Sequence, residues 1–228
     1  MKKARGFTLV ELAISLAIIG LLLGMLVVPL NAQVDQQRTS DTQKHLQVIH
    51  DAVLGFAVAN GRLPCPAIAT TPNTTAGAGT ESRNTGVVPA VCTNTEGVVP
   101  WTTLGIAETD AWGRRFTYRI TPEFANDPVG GLQATFTLTD NGSITITNGT
   151  INIATNVVAA VVSHGKNGVG GYQMTGTQIA GAAGDELVNA NADNTFVSKT
   201  PDPAFDDLLT WISPNVLKSR MIAGNRLP

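Results

Sequence analysis

Several residue groups in the 228-residue chain carry side chains able to do chemistry. Ser163-His164 sets a hydroxyl beside an imidazole. In an extended strand, however, neighbouring side chains point to opposite faces, so the two cannot form a nucleophile–base pair directly. Gly165-Lys166 is not followed by Ser or Thr and lacks the Gly-x-x-x-x-Gly-Lys-Ser/Thr spacing of a phosphate loop. Asp206 and Asp207 are adjacent carboxylates at the start of a short helix or strand. That position suits capping or dipole use better than paired acid–base work. His45 and His50 are five residues apart and fall on different faces of a helix, which leaves no histidine pair for a metal. No catalytic set emerges, so an enzyme is not expected.

Two further groups bear on stability. Cys65 and Cys92 are the only cysteines. Both follow a long apolar run, on the side that would face away from the cytoplasm, where an oxidising compartment lets thiols pair. One intrachain disulfide is expected, stabilising by roughly 3–4 kcal/mol through loop closure; two free buried thiols are the alternative. Beyond a glycine-rich turn at 165–171 come Asp185, Glu186, Asn189, Asn191, Asp193 and Asn194. These are hard oxygen donors suited to calcium, and equally the residues that hydrogen-bond backbone in a turn-rich loop.

The elements that must hold these groups can be read from composition and periodicity. The chain is long enough for one anchor helix and one globular domain. Hydrophobic residues make up 43% and charged residues 14%. The net charge of −2 conceals an asymmetry: without residues 1–6 the balance is 12 Lys+Arg against 17 Asp+Glu. No general basic surface remains, and nucleic acid is not an expected partner. Leu46, Ile49, Val53, Leu54 and Ala57 repeat at three- and four-residue spacing, which predicts that residues 31–61 continue a helix with one packed face. Gly61, Pro64 and Pro66 end it. Residues 67–98 read as a long loop, and 134–139, 143–147 and 150–153 as a meander with turns at Asp140-Asn141-Gly142 and Asn148-Gly149. Val157 to Ser163 is apolar enough for a central strand, and residues 206–212 begin a final helix or strand. The class is α+β, an N-terminal helix packed on an antiparallel sheet.

The segment from Phe7 to Leu30 has only Thr8, Glu11 and Ser15 as polar residues. As a helix it is about 36 Å long, enough to cross a bilayer. Lys2, Lys3 and Arg5 precede it, in keeping with a cytoplasmic N-terminus. It is too long for a secretory signal core, and no small-x-small cleavage site follows. A simple anchor leaves Glu11 unexplained, because a carboxylate within a membrane helix costs about 2.5–3.5 kcal/mol even on mild scales.

Lys3-Ala4-Arg5-Gly6-Phe7-Thr8-Leu9-Val10-Glu11-Leu12 resembles the signal of type IV prepilins and type II secretion pseudopilins. The resemblance covers about thirty residues. It implies a pilin-like fold, cleavage between Gly6 and Phe7 by a prepilin peptidase, and N-methylation of Phe7. The domain reading is then a leader at 1–6, a transmembrane and assembly helix at 7–30, the periplasmic half of the helix at 31–61 and a β-rich domain at 62–228. The new amine at Phe7 can neutralise Glu11 of a neighbouring subunit, which makes Glu11 an assembly residue. Gly20 and Gly24 form a small-xxx-small pair suited to close helix approach, and Pro29 should bend or loosen the helix. In filaments of the family this stretch can lose helicity.

Asp110-x-Trp112-Gly113, then Ser163-x-Gly165-x-x-Gly168, then the acidic loop is also similar, loosely, to the major pseudopilin of type II secretion, which holds calcium after its glycine-rich turn. His164 and Lys166 intrude on that pattern, and residues 173–184 are inserted. Asp185, Asn191 and Asp193 are the ligand candidates; no other cofactor is expected. The implied partners are the peptidase/methylase, other pilin or pseudopilin subunits, an inner-membrane assembly platform and the lipid bilayer. The implied location is the bacterial inner membrane, single-pass with a periplasmic C-terminal domain, and then a pseudopilus or surface pilus. A minor pilin for adhesion, motility or DNA uptake is the alternative role, and a membrane-anchored periplasmic binding protein the alternative of another class.

Overall fold

A computed structural model describes residues 6–227, without the side chains of 23–30. The basic residues of the leader lie outside it. The chain divides into two units, residues 1–40 and 41–228. Helix α1, Leu9–Asn60, begins in the first and ends in the second. It is helical through Gly24 and Pro29, so the loss of helicity implied by the resemblance is not a feature of this structure.

The second unit adds β1 (Arg83–Asn84), β2 (Val91–Cys92), β3 (Glu96–Val98), α2 (Trp101–Leu104), β4 (Arg114–Arg115) and β5 (Thr117–Ile120). After a 3₁₀ turn at Pro122–Ala125 come β6 (Ile144–Thr147), β7 (Asn152–Val157), β8 (Ala159–Ser163) and β9 (Tyr172–Gln173). The chain closes with α3 (Gly184–Val188), β10 (Thr195–Val197), β11 (Leu208–Ile212) and α4 (Pro214–Ala223). The main sheet is antiparallel in the order β11-β8-β5-β3. A second sheet has the order β10-β6-β7, with β10 parallel to β6. The class is thus α+β, consistent with a pilin-like fold.

Alternation along β8 explains why that strand is apolar throughout. Ala159 and Val161 join Tyr118, Ile120, Leu208 and Ile212 in a core with Ile49, Val53 and Ala57 of α1. Ala160 and Val162 face the other way, onto Ile144, Ile146 and Phe196 of the second sheet. A strand covered on both faces has no position left for a polar side chain until Ser163. The apolar stripe of residues 46–57 is likewise the packed face of α1.

One expected strand is absent. Residues 134–139 alternate in sequence but form no strand. Phe136 stacks on Phe124 with ring centroids 4.6 Å apart. The Ala134 amide donates to the Arg226 carbonyl, and Lys218 Nζ donates to the carbonyls of Leu138 and Asp140. The Ala134 amide and the Leu138 carbonyl are thus claimed by the C-terminal helix and its tail, and the Thr137 and Thr139 amides by the side chains of Asp140 and Thr137, which takes these groups out of any ladder. The turn at Asn148-Gly149 does join two strands: Asn148 Oδ1 accepts from the amides of Thr150 and Ile151, and Gly149 has φ +93°. Gly61 ends α1 with φ +74°. Residues 206–207 precede a strand, not a helix, so helix capping is not their role.

Candidate functional site

Two sets of residues bear on function. The first is the start of α1. Phe7 and Leu9 are 84% and 87% exposed within the chain, and the apolar residues that follow are exposed on every side. Thr8 is the last residue before the helix, and Glu11 is in its first turn. The Thr8 amide donates to Glu11 Oε2 at 2.9 Å and the Thr8 hydroxyl donates to the same oxygen at 2.8 Å. The Glu11 amide donates back to Thr8 Oγ1 at 3.2 Å. This is a reciprocal capping box, in which side chain and backbone satisfy donors that a helix start leaves open. Glu11 therefore has a partner inside its own chain, which the reading of it as an uncompensated carboxylate missed. The Thr-x-x-Glu spacing was the available signal. Ser15 adds a bond to the Glu11 carbonyl at 2.7 Å.

A Cβ at Gly20 would meet nothing within 4 Å, so the fold of this chain does not itself require glycine there. The side chain at Pro29 and the surroundings of Gly24 lie outside the described residues. Among the described residues no helix is long and apolar enough to cross a membrane.

The second set surrounds the end of β8. Ser163 Oγ donates to Asp110 Oδ2 at 2.6 Å, and Asp110 Oδ1 accepts from the amides of Trp112 and Arg114. Burial pushes the Asp110 carboxyl upward, against these bonds. His164, fully buried, points elsewhere: its Nε2 meets Thr117 Oγ1 at 2.8 Å. Serine and histidine thus serve different partners, as strand geometry dictates. The Nδ1 atom of His164 has no hydrogen-bond partner among the described residues and lies 3.8 Å from Asp207 Oδ1.

Asp207 is buried, and Asn189 Nδ2 donates to its Oδ2 at 2.8 Å. Burial, reinforced by the negative charges of Glu186 and Asp206, pushes its carboxyl up to about 8. Burial alone lowers His164 to about 4. Burial thus disfavours the charged form of both, and their closeness is not that of an ion pair. Glu186, Asp206 and Asp207 each offer an oxygen within 4.8 Å of the others. Asn167 ties this group to the glycine-rich turn: its Nδ2 donates to Glu186 Oε1 at 2.7 Å and its amide to Asp206 Oδ2 at 2.9 Å. Gly165, at φ +57°, passes so close to Asp206 that a Cβ would collide with its backbone.

The three ligand candidates from the sequence are engaged elsewhere. Lys199 Nζ lies 2.7 Å from Asp185 Oδ2. Asn191 Oδ1 accepts from the Asp193 amide and Asp193 Oδ1 from the Thr195 amide, so these two shape a backbone turn. The acidic group that does assemble includes the Asp206-Asp207 pair, whose sequence reading was capping. A carboxylate pair just before the apolar run Leu208-Leu209-Thr210-Trp211-Ile212 was its only trace.

Cys65 and Cys92 form a disulfide across a sequence separation of 27. It closes the loop whose first part is held by Arg62, with Glu81 at 2.8 Å and Asp127 at 2.7 Å.

Residues 1–27 match the family described as the prokaryotic N-terminal methylation motif, which is the prepilin signal of type IV pilins and pseudopilins. Neither a curated protein nor a solved structure matches the chain. The motif implies processing by a prepilin peptidase and assembly with other pilins, and it belongs to structural subunits rather than enzymes.

Proposed function

We propose that the chain is a structural subunit of a type II secretion pseudopilus or type IV pilus, cut between Gly6 and Phe7, N-methylated at Phe7 and assembled through the first half of α1. The observation that carries this reading is the prepilin motif over residues 1–27. Two features agree with it. The apolar surface from Phe7 to Leu22 is exposed within the chain and needs lipid or other subunits to cover it. The order Asp110-x-Trp112-Gly113 favours the secretion machine over the pilus. The anchor lies once across the bacterial inner membrane, with the unit from Asp41 onward in the periplasm and an inner-membrane platform extracting the subunit. The acidic balance of the processed chain disfavours the DNA-uptake variant of a minor pilin.

The capping box gives Glu11 two successive partners. In the single subunit it holds Thr8, and on assembly its carboxylate is available to the amine of a neighbouring Phe7, so that two costly charges satisfy each other. Glu11→Ala is expected to insert and to be cut after Gly6 as the wild type is, and to enter sheared filaments at least tenfold less. Wild-type incorporation of that variant would sink the assembly role. A deletion strain scored for both exoprotein release and surface pili assigns the machine.

A further inference from the structure

We infer that Glu186, Asp206 and Asp207 form a binding site for a hard divalent cation, with calcium the best match, which pins α3 and the lead-in to β11 to the glycine-rich turn. The oxygens on offer lie within 4.8 Å of one another, a spacing that one ion with oxygen ligands at about 2.3–2.6 Å can span.

Carboxylates cluster on many surfaces without binding anything, so proximity alone would not carry the inference. Unsatisfied atoms do. Asp206 Oδ1 and Asp207 Oδ1 are buried and have no hydrogen-bond partner among the described residues. Each of these aspartates has its other oxygen fixed by an amide donor, Asn167 N for Asp206 and Asn189 Nδ2 for Asp207. One oxygen positioned and the other left open is the arrangement of a ligand with outer support. A buried acceptor without a partner costs about 1–3 kcal/mol, so two side by side need an explanation. His164 supplies an independent pointer. Its side chain is fully buried, follows directly on the neighbouring strand β8, and aims an Nδ1 without a partner among the described residues at Asp207 Oδ1 from 3.8 Å, too far for a hydrogen bond. The oxygen-only donor set of the group selects calcium over softer ions, and magnesium is disfavoured by its need for a tight octahedron.

The calcium implied by resemblance to the major pseudopilin thus has a place that fits it, in residues other than Asp185, Asn191 and Asp193. The inference rests on the unit from Asp41 onward and is independent of the filament reading.

The test uses the full chain purified in detergent and stripped with a chelator. Equilibrium dialysis against radioactive calcium is expected to find one ion per chain, and calcium about a hundredfold above its Kd to raise the melting temperature by roughly 5–10 °C. Magnesium at the same concentration is expected to give less than half that shift. The pair Glu186→Gln with Asp206→Asn should abolish binding while leaving the chelated protein folded, since each replacement removes charge at constant shape. Asp185→Asn with Asp193→Asn should keep binding intact. Absence of bound calcium in the wild type would overturn the site, and so would full binding in the first double variant. Loss of binding in the second would return the ligands to the acidic loop.

Discussion

The two halves of α1 both carry large apolar side chains and treat them in opposite ways. From Phe7 to Leu22 the large apolar residues are all more than half exposed, with Leu16 at 62% and Leu21 at 64%. In the second half Leu46, Ile49, Val53, Leu54 and Ala57 fall on one buried stripe, and Val53 and Ala57 are fully buried. A stripe is the mark of a helix whose partner is in its own chain. A helix apolar on every side has its partner outside the chain. The first half is therefore informative about assembly and almost independent of the packing that stabilises the second unit, while the second unit is stabilised by contacts that the assembly signal does not mention.

The strongest way to break this comparison is at Arg115. It is fully buried and holds Glu108 at 2.8 and 2.9 Å and the carbonyls of Ala69, Thr71 and Met174, with its guanidinium 4.6 Å over the ring of Trp101. Arg115→Met would leave a carboxylate and three carbonyls without their donor. A loss of about 3–5 kcal/mol is expected in urea denaturation of the detergent-purified chain. Arg115→Lys should recover little, because an ammonium cannot reproduce the fork. Cleavage after Gly6, read by gel mobility in cells, should be unaffected in both. If cleavage fails with folding, the two regions are coupled and the comparison breaks.

Glu96 sharpens it with a pH dependence confined to the second unit. Burial, with a further push from Asp193 and a pull down from Arg119, brings its carboxyl to about 7 from an ordinary value of 4.5. The folded state thus binds a proton that the unfolded state has released between about pH 4.5 and 7. Stability from this group is present below the lower value and is lost as pH rises through the upper one. Glu96→Gln removes the titration. Relative to wild type it should gain on the order of 2 kcal/mol between pH 5 and pH 8, measured by denaturation at both. An equal difference at the two values would show that Glu96 titrates normally.

What the sequence showed follows the same division. Signals carried by adjacent residues were legible: the prepilin motif, the 46–57 stripe, the Gly61 stop, the Asn148-Gly149 turn and the buried β8. Signals that depend on distant partners were not. The alternation at 134–139 looks like a strand, but the residues that claim its backbone, Lys218 and Arg226, lie some eighty to ninety positions away. The parallel pairing of β10 with β6 has no local cue. The acidic cluster draws on Glu186, Asp206 and Asp207, and only the fold brings those segments together. Asp185 and Asp193 were as good as Glu186 by composition, and only position separates them. The Thr8–Glu11 box is the exception, since both partners are local and the pattern was there to be read.

That box supplies the smallest effect and the finest test. Thr8→Ala removes the hydroxyl that donates to Glu11 Oε2 and accepts from the Glu11 amide, and leaves the Thr8 amide in place. Losing an N-cap side chain costs about 1 kcal/mol, which corresponds to roughly fivefold faster amide exchange. The expected change is confined to the first turn of α1, residues 9–12, with the melting temperature of the second unit unchanged. With the hydroxyl gone, Glu11 is held by a single amide and is freer to meet a neighbouring amine. Filament incorporation of Thr8→Ala should then stay far above that of Glu11→Ala. The comparison fails if exchange quickens along the whole of α1, because the start of the helix would then be supporting the packed half as well as the assembly contact.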